Sequence, residues 1–415
     1  MLKAALWRDE FPANLTGLIL GTLAMASIAL SGMYTHLYWS LSDILTLTFR
    51  IIGWSLAGVL FLLLLWRIRK GANMQLRHIL LGCALLAIPF FLTQPIFAGD
   101  LYAYVAEVKI TAIGNPYVLP PAALGNNQIL NGVAPVWQNQ PSAYGPLWNI
   151  FNHGLAAVTT DAVALVFIFR IINLIGILLS VLIIARYSVP KHAALIAFNP
   201  IILVESVADG HHDILIGLAI LAAVLWLQRP IRSAFALAVG AALKFIPLIA
   251  LPALIASAPP KRRWQSAFWI GGIPIVVLML CFALFWVGSQ TLDGLRQQAA
   301  LFSHPIFFPQ FIVYIFAYLF NSKIHPEVLA RAFGVAVFIV IYGWVCVATW
   351  NKRITGIAAV AFALATYIFF AAPYVQTWYL LWLLPVIALL PTRQALRWVG
   401  IISVVWGSML FLTVR

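Results

Sequence analysis

AGDLYAYVAEVKITAIGNPYVLPP (residues 98–121), then a polar linker, then PSAYGP (residues 141–146), interrupts a chain that is otherwise almost wholly apolar. Around this break 63% of the 415 residues are hydrophobic and only 9% charged, with a mean hydropathy of +0.99. A soluble core cannot hide so much apolar side chain, so the chain reads as an all-α, polytopic membrane protein. Ten-residue alternating strands are absent, which excludes an outer-membrane barrel. The net charge of +14 is scattered singly or in short clusters between hydrophobic runs. That is an orientation signal rather than a nucleic-acid surface. Cys83, Cys281 and Cys346 all fall inside hydrophobic runs, and no disulfide is expected.

The basic residues give each run a direction. Lys3 and Arg8 place the N-terminus in the cytoplasm, and Arg67, Arg69, Lys70 and Arg77 mark the return of the second span. The first run (residues 15–34) is taken as a retained helix rather than a signal peptide. The third span (residues 78–97) then delivers Asp100 to the outside. Residues 146–158 would form a helix about 20 Å long, short of the roughly 30 Å hydrocarbon core, so it lies on or dips into the outer face. A full span follows at residues 162–185. Residues 193–208 go out and residues 214–227 return. Residues 233–258 precede Lys261, Arg262 and Arg263, and are read as a hairpin of short helices bent near Lys244 and Pro247. An external loop at 288–326 carries a short apolar helix near 311–320, and the remaining runs complete about 11–13 transmembrane helices. This divides the chain into three N-terminal helices (residues 1–97), an external module (98–161) and a bundle (162–415). Nine of the eleven acidic residues then fall at or beyond the outer boundary, as a polar working face would require.

Four groups of residues carry possible chemistry. Asp100, Tyr104 and Glu107 share one helical face opposite Leu101, Val105 and Val108, so the segment is expected to lie flat on the membrane. Asp100 there can serve as an N-cap or as a general base; the pattern leaves both open. Asn115 and Tyr117 belong to a Gly-Asn-Pro-Tyr turn, and Tyr144 to a Tyr-Gly-Pro turn. Glu205, Asp209, His211, His212 and Asp213 crowd the turn between two spans. A metal site is one reading, but no ligand spacing supports it, and hydrogen bonds to sugar or phosphate are preferred. Arg170 lies about 12 Å into its span and Lys244 at the hairpin bend, so both need partners. An acid such as Glu205 is expected for Arg170, and a lipid phosphate for Lys244. Gln376, Trp378 and Tyr379 open a late span, where aromatic residues also serve as interfacial anchors.

Taken in order, GDLYAYV, GNPY, SAYGPLW, FNPIILVESVADGHHD, ALKFIPLIALPAL and VQTWYLLWLLP resemble the polyprenol-phosphate-mannose-dependent α-mannosyltransferases of the GT-C superfamily. The resemblance is strongest to the α-1,6-mannosyltransferases of lipomannan synthesis. It departs from the family pattern at His212, where the family has Asn, and at Thr377, where it has Pro. The resemblance implies a GT-C-like fold and an inverting transfer with Asp100 as base. It implies a polyprenyl-phosphate sugar donor, most simply mannose, and a glycolipid or glycan acceptor among membrane lipids. The site would face outward from a bacterial cytoplasmic membrane. No cofactor is expected, and a divalent metal is not favoured. A lipid-linked-sugar flippase, or an enzyme using another polyprenyl-phosphate sugar, is the alternative.

Overall fold

A computed structural model describes residues 15–34, 42–72, 74–96, 99–301, 315–320, 326–372 and 376–412. Among them the chain is helical, with no named strand. The N-terminal pair, α1 (Leu15–Tyr34) and α2 (Ser42–Arg69), packs side by side, and α3 (Leu76–Ala87) leads to the polar break. Then come α4 (Asp100–Ile113), α5 (Pro146–Val158), α6 (Ala162–Tyr187), α7 (Pro190–Ala197), α8 (Asp213–Leu225) and α9 (Pro230–Leu243). The C-terminal half adds α10 (Leu251–Ser257), α11 (Arg263–Ala283), α12 (Asp293–Leu301), α13 (Pro326–Trp350), α14 (Gly356–Thr366), α15 (Leu380–Ile387) and α16 (Thr392–Leu412).

Several expected boundaries hold. The short helix occupies Pro146–Val158. Asp161 caps α6, its side chain accepting the Ala164 amide. Pro230–Leu243 ends at Lys244 in extended backbone, and a second short segment follows through Ile246–Ser257. Of the apolar helix expected near residues 311–320, residues 315–320 are described, and they are helical through residue 319.

Two observations bear on the expected architecture. Among the described residues, four helices are long and apolar enough to cross a membrane: Leu47–Arg69, Ala162–Tyr187, Pro260–Ala283 and Val328–Trp350. A fifth is a pair, Pro190–Ala197 and Pro200–Ala208, bent by 55°. Leu76–Leu92, Asp213–Leu225, Pro230–Leu243, Ile246–Ser257, Gly356–Ala371 and Thr377–Ile387 are shorter apolar helices of 10–17 residues, less than one straight crossing requires. The all-α, polytopic membrane architecture is as expected, and by length alone the described residues supply four to five of the expected spans. Proline and polar breaks divide the runs, as Asn199-Pro200 divides residues 193–208.

The second corrects the expectation for α4. It does not lie flat with a free polar face, because Tyr104 and Glu107 are as buried as Leu101, Val105 and Val108. It packs between α5 and α6, and both of its faces are covered. The inner layer consists of α7, the turn after it, α8 and α15, whose side chains are mostly inaccessible. The long helices surround it, and their apolar side chains face outward: Trp264 is 83% exposed and Val340 71%. Such a belt suits lipid rather than water.

Candidate active site

The site forms where the start of α4 meets the break before α8. Gly99 occupies the cap position of α4, and Asp100, the first helical residue, makes no capping bond. The N-cap reading of Asp100 is thereby excluded. Its Oδ2 instead accepts a hydrogen bond at 3.0 Å from Nε2 of His211, a residue 111 positions further along the chain. The sequence brings His211 there by breaking a helix. Pro200 follows Asn199, whose side chain caps the new turn through the Ile201 amide. The helix then widens, the Asp209 amide reaching back five residues to the Val204 carbonyl. Gly210 reverses the chain at φ +75°, a backbone region that favours glycine.

Such a break frees carbonyls that would be orphaned in a bilayer. Arg170 and Asn173, side by side on α6, satisfy them. Arg170 Nη2 donates to Ala208 O (2.8 Å), and Asn173 Nδ2 donates to Ser206 O (2.9 Å) and Gly210 O (2.7 Å). Arg170 thus has a structural role as expected, but its partners are main-chain carbonyls and not Glu205. Asp209 accepts the Ile96 amide at 2.5 Å, and Arg50 donates to the Ile96 carbonyl at 3.0 Å. The strand of chain entering Asp100 is thus tied to the turn that carries His211.

The two histidines diverge. His211 is fully buried and lies flat on Trp378, with ring centroids 4.1 Å apart and planes 16° apart. Its Nδ1 is 3.1 Å from the Glu205 carbonyl and 3.0 Å from Glu205 Oε2. The carbonyl has hydrogen-bonding alignment; the carboxylate contributes charge. Burial alone would lower the His211 pKa, but Asp100 and Glu205 outweigh it and hold the pKa well above the ordinary imidazole value. His212 stacks on Trp148 (3.9 Å, 13°) and meets the edges of Tyr104 and Tyr144. Both of its ring nitrogens are buried without a protein partner. Burial drives its pKa down to about 3, so it is neutral.

Lys244 closes the other side. Its Nζ is 2.9 Å from Asp213 Oδ1, which also accepts from Trp382 Nε1 at 2.6 Å. The rings of Trp382, Tyr144 and Tyr379 surround the ammonium with centroids at 5.4, 5.6 and 5.9 Å. The expected phosphate partner is thus preceded by a carboxylate of the protein. Asp213 Oδ2 is buried without a partner. The Tyr-Gly-Pro turn sets this geometry: the Gly145 amide donates to Leu243 O at 2.9 Å. A Cβ on Gly145 would lie 2.2 Å from Ala242 O. Only glycine lets the turn approach the backbone that presents Lys244.

Glu107 lies beneath this layer. Its Oε2 accepts from Trp148 Nε1 at 2.8 Å and Asn152 Nδ2 at 3.4 Å. Burial raises its pKa to about 7 despite those bonds. It touches the back of Trp148 and has no open path to a sugar. Three other expected binders also face the protein. Asn115 donates to Phe285 O and accepts the Tyr117 amide, and the Tyr117 hydroxyl donates to Tyr144 O. Asp209 is spent on Ile96. Asp100, Tyr104, Tyr144, Glu205, His211, His212, Asp213, Lys244, Trp378 and Tyr379 come together, Tyr379 stacking on Trp382 at 4.2 Å. Gln376 opens the turn that carries Trp378, its carbonyl accepting the Tyr379 amide. Trp148, Trp382 and Asn173 were not singled out from the sequence. Each sits in an apolar run, where a lone aromatic or amide gives no signal until its partner is placed. Among the described residues no cluster of three His, Cys, Asp or Glu is arranged to hold a metal ion.

Residues 13–259 match the family described as alpha-(1->6)-mannopyranosyltransferase, N-terminal domain, which is more than half of the chain. The chain belongs to the alpha-(1->6)-mannopyranosyltransferase family. Asp100, His211, Asp213 and Lys244 all lie in the matched part. Residues 143–390 also match glycosyltransferase family 87, which takes in Trp378 and Trp382. Among family relatives, a probable alpha-(1->6)-mannopyranosyltransferase of Mycolicibacterium smegmatis is 28% identical over 54% of this chain and 38% of its own length. An alpha-(1->6)-mannopyranosyltransferase of Mycobacterium tuberculosis is 31% identical over 31% of this chain and 23% of its own. Alpha-(1->6)-mannopyranosyltransferase B of Corynebacterium glutamicum is 28% identical over 34% and 25%. The match therefore spans well under half the length of each of these curated relatives. No solved structure matches the chain.

Proposed function

We propose that the protein transfers mannose from a polyprenyl-phosphate donor to a glycolipid or glycan acceptor, with inversion, on the extracytoplasmic face of a bacterial cytoplasmic membrane. The observation that carries this reading is a pair of openings in a closed polar cluster. Asp213, His211 and Glu205 are 0–1% exposed, whereas the side chains of Asp100 and Lys244 each keep 14% of their surface. A carboxylate and an ammonium are thus the accessible charges of the site, with Tyr144 between them.

Each has a role suited to its charge. Asp100 takes the proton of the acceptor hydroxyl while that oxygen attacks C1 of the sugar. The bond from C1 to the phosphate oxygen breaks on the opposite face, which inverts the anomeric carbon. Polyprenyl phosphate leaves with its added negative charge. Lys244 has three N–H donors, one of them turned to Asp213. The others are available to the phosphate, whose growing charge they stabilise in a water-poor site. The aromatic rings around Lys244 hold the ammonium in place and offer apolar faces to the sugar.

The test is Asp100→Asn in purified protein in lipid nanodiscs, given a panel of short-chain polyprenyl-phosphate sugars and octyl α-mannoside. Mannosyl transfer is expected to fall about 10²- to 10⁴-fold. Unchanged transfer by Asp100→Asn would remove the base, and absence of transfer by the wild-type protein on the whole panel would favour a carrier of lipid-linked sugars. Consumption of another sugar in preference to mannose would replace the donor assignment.

A further inference from the structure

His211 was expected among the groups that touch substrate, and the structure leaves it no atom with which to do so. Nε2 is engaged by Asp100, Nδ1 by Glu205, and the ring face by Trp378. It is fully enclosed. Its neighbour His212 has the opposite character, with both nitrogens unengaged. Adjacent histidines in one turn thus do different work.

We propose that His211, held by Glu205 and the face of Trp378, is a positioning residue that fixes Asp100 as the acceptor-facing carboxylate. This rests on Asp100 being the base. The geometry has the order carboxylate, imidazole, carboxylate: Asp100 Oδ2 at 3.0 Å from Nε2, and Glu205 Oε2 at 3.0 Å from Nδ1. An imidazole bonded at both nitrogens cannot rotate, and stacking on Trp378 prevents it from tilting. Oδ2 is therefore fixed. Oδ1 makes no hydrogen bond among the described residues, and it is the oxygen left to receive the proton of the acceptor. His211 takes no proton in the step; the proton moves from the acceptor hydroxyl to Oδ1 and stays there until the product leaves.

The charges facing His211 are those of Asp100 from α4 and Glu205 from its own turn, with His212 and Asp213 beside it; Trp378 brings none. Two carboxylates against one imidazole favour the doubly protonated ring. That cation at 3.0 Å from Oδ2 holds the carboxylate in place by charge as well as by hydrogen bond. Glu205 acts at one remove by keeping that cation charged.

The experiment measures kcat and KM for octyl α-mannoside against pH, with citronellyl-phosphate mannose as donor, in nanodisc-embedded protein. Asp100→Asn is run first: its retained activity would overturn the base assignment and this proposal with it, whereas its loss of activity leaves the His211 and Glu205 variants to decide this proposal alone. His211→Gln is expected to lower kcat by about 10- to 100-fold with KM within about threefold. The alkaline limb that marks loss of the imidazolium proton should disappear in this variant, which has no titrating ring. Glu205→Gln leaves the Asp100–His211 contact in place and should move that alkaline limb to lower pH, since Glu205 helps to hold the imidazolium. Wild-type limbs in both variants, or a loss confined to KM, would overturn the proposal. If His211→Gln does not elute as folded, monodisperse protein, the decision passes to Glu205→Gln, whose limb must then move by itself.

Discussion

Glu107 is a carboxyl enclosed by protein, bonded to Trp148 and Asn152, with its pKa raised from 4.5 to about 7. The folded state keeps its proton up to about pH 7, while the unfolded chain loses it near pH 4.5. Between these values the unfolded state binds fewer protons, so stability falls as pH rises. Thermal unfolding in detergent should therefore show a midpoint that declines from about pH 4.5 to about pH 7. Glu107→Gln, which can still accept the Trp148 bond, should flatten that decline; a slope equal to wild type would place the titration elsewhere. Trp148 transmits any disturbance, because the face opposite its bonded edge carries His212. The same economy holds at His211 and His212, where one residue step separates a fully engaged imidazole from an unengaged one.

Helix endings, more than helices, build the site. The α7 break, the widened turn at Val204–Ala208, the extended backbone at Lys244 and the Tyr-Gly-Pro turn are all places where regular hydrogen bonding stops. Side chains or distant backbone then take over. Gly145 is the tightest of these junctions. Gly145→Ala should destabilise the protein by about 1–3 kcal/mol through overpacking. Transfer should also fall by about a hundredfold, as Lys244 is displaced by a fraction of an ångström to an ångström. Unfolding midpoints and initial rates on the same preparation check both, and a fully active alanine variant would show that the turn gives way cheaply. The start of α6 at Ala162, the short α5 and the bend at Lys244 were legible in the sequence, because each is set locally: by a polar break, a length, a proline. The burial of α4 was not. Its period-3.6 polar stripe is real, but Trp148 and Asn152 of α5 cover it, and their pairing with Glu107 spans 41 and 45 residues.

At the scale of the molecule, the orientation proposed from the basic residues can be tested directly. Asn126 in the linker and Arg262 after the hairpin are both exposed. In a variant lacking Cys83, Cys281 and Cys346, a cysteine at Asn126 should react with an impermeant maleimide on intact cells. One at Arg262 should react only after the membrane is opened; reversed labelling would invert the orientation. What the sequence could not disclose at this scale is that residues 100, 211, 244 and 378 converge, since each of those pairings depends on packing between helices remote in the chain. Asp213 and Lys244 are a different matter. They stand on α8 and α9, neighbours joined by a short connection, and bond to each other at 2.9 Å. A lone charge entering the bilayer costs roughly 2.5–3.5 kcal/mol on insertion scales. Two consecutive helices that leave the translocon together can neutralise each other before any later segment arrives. The acid and base of that pair can thus escort one another into lipid, and the lysine proposed to meet the phosphate reaches its place as half of a neutral hairpin.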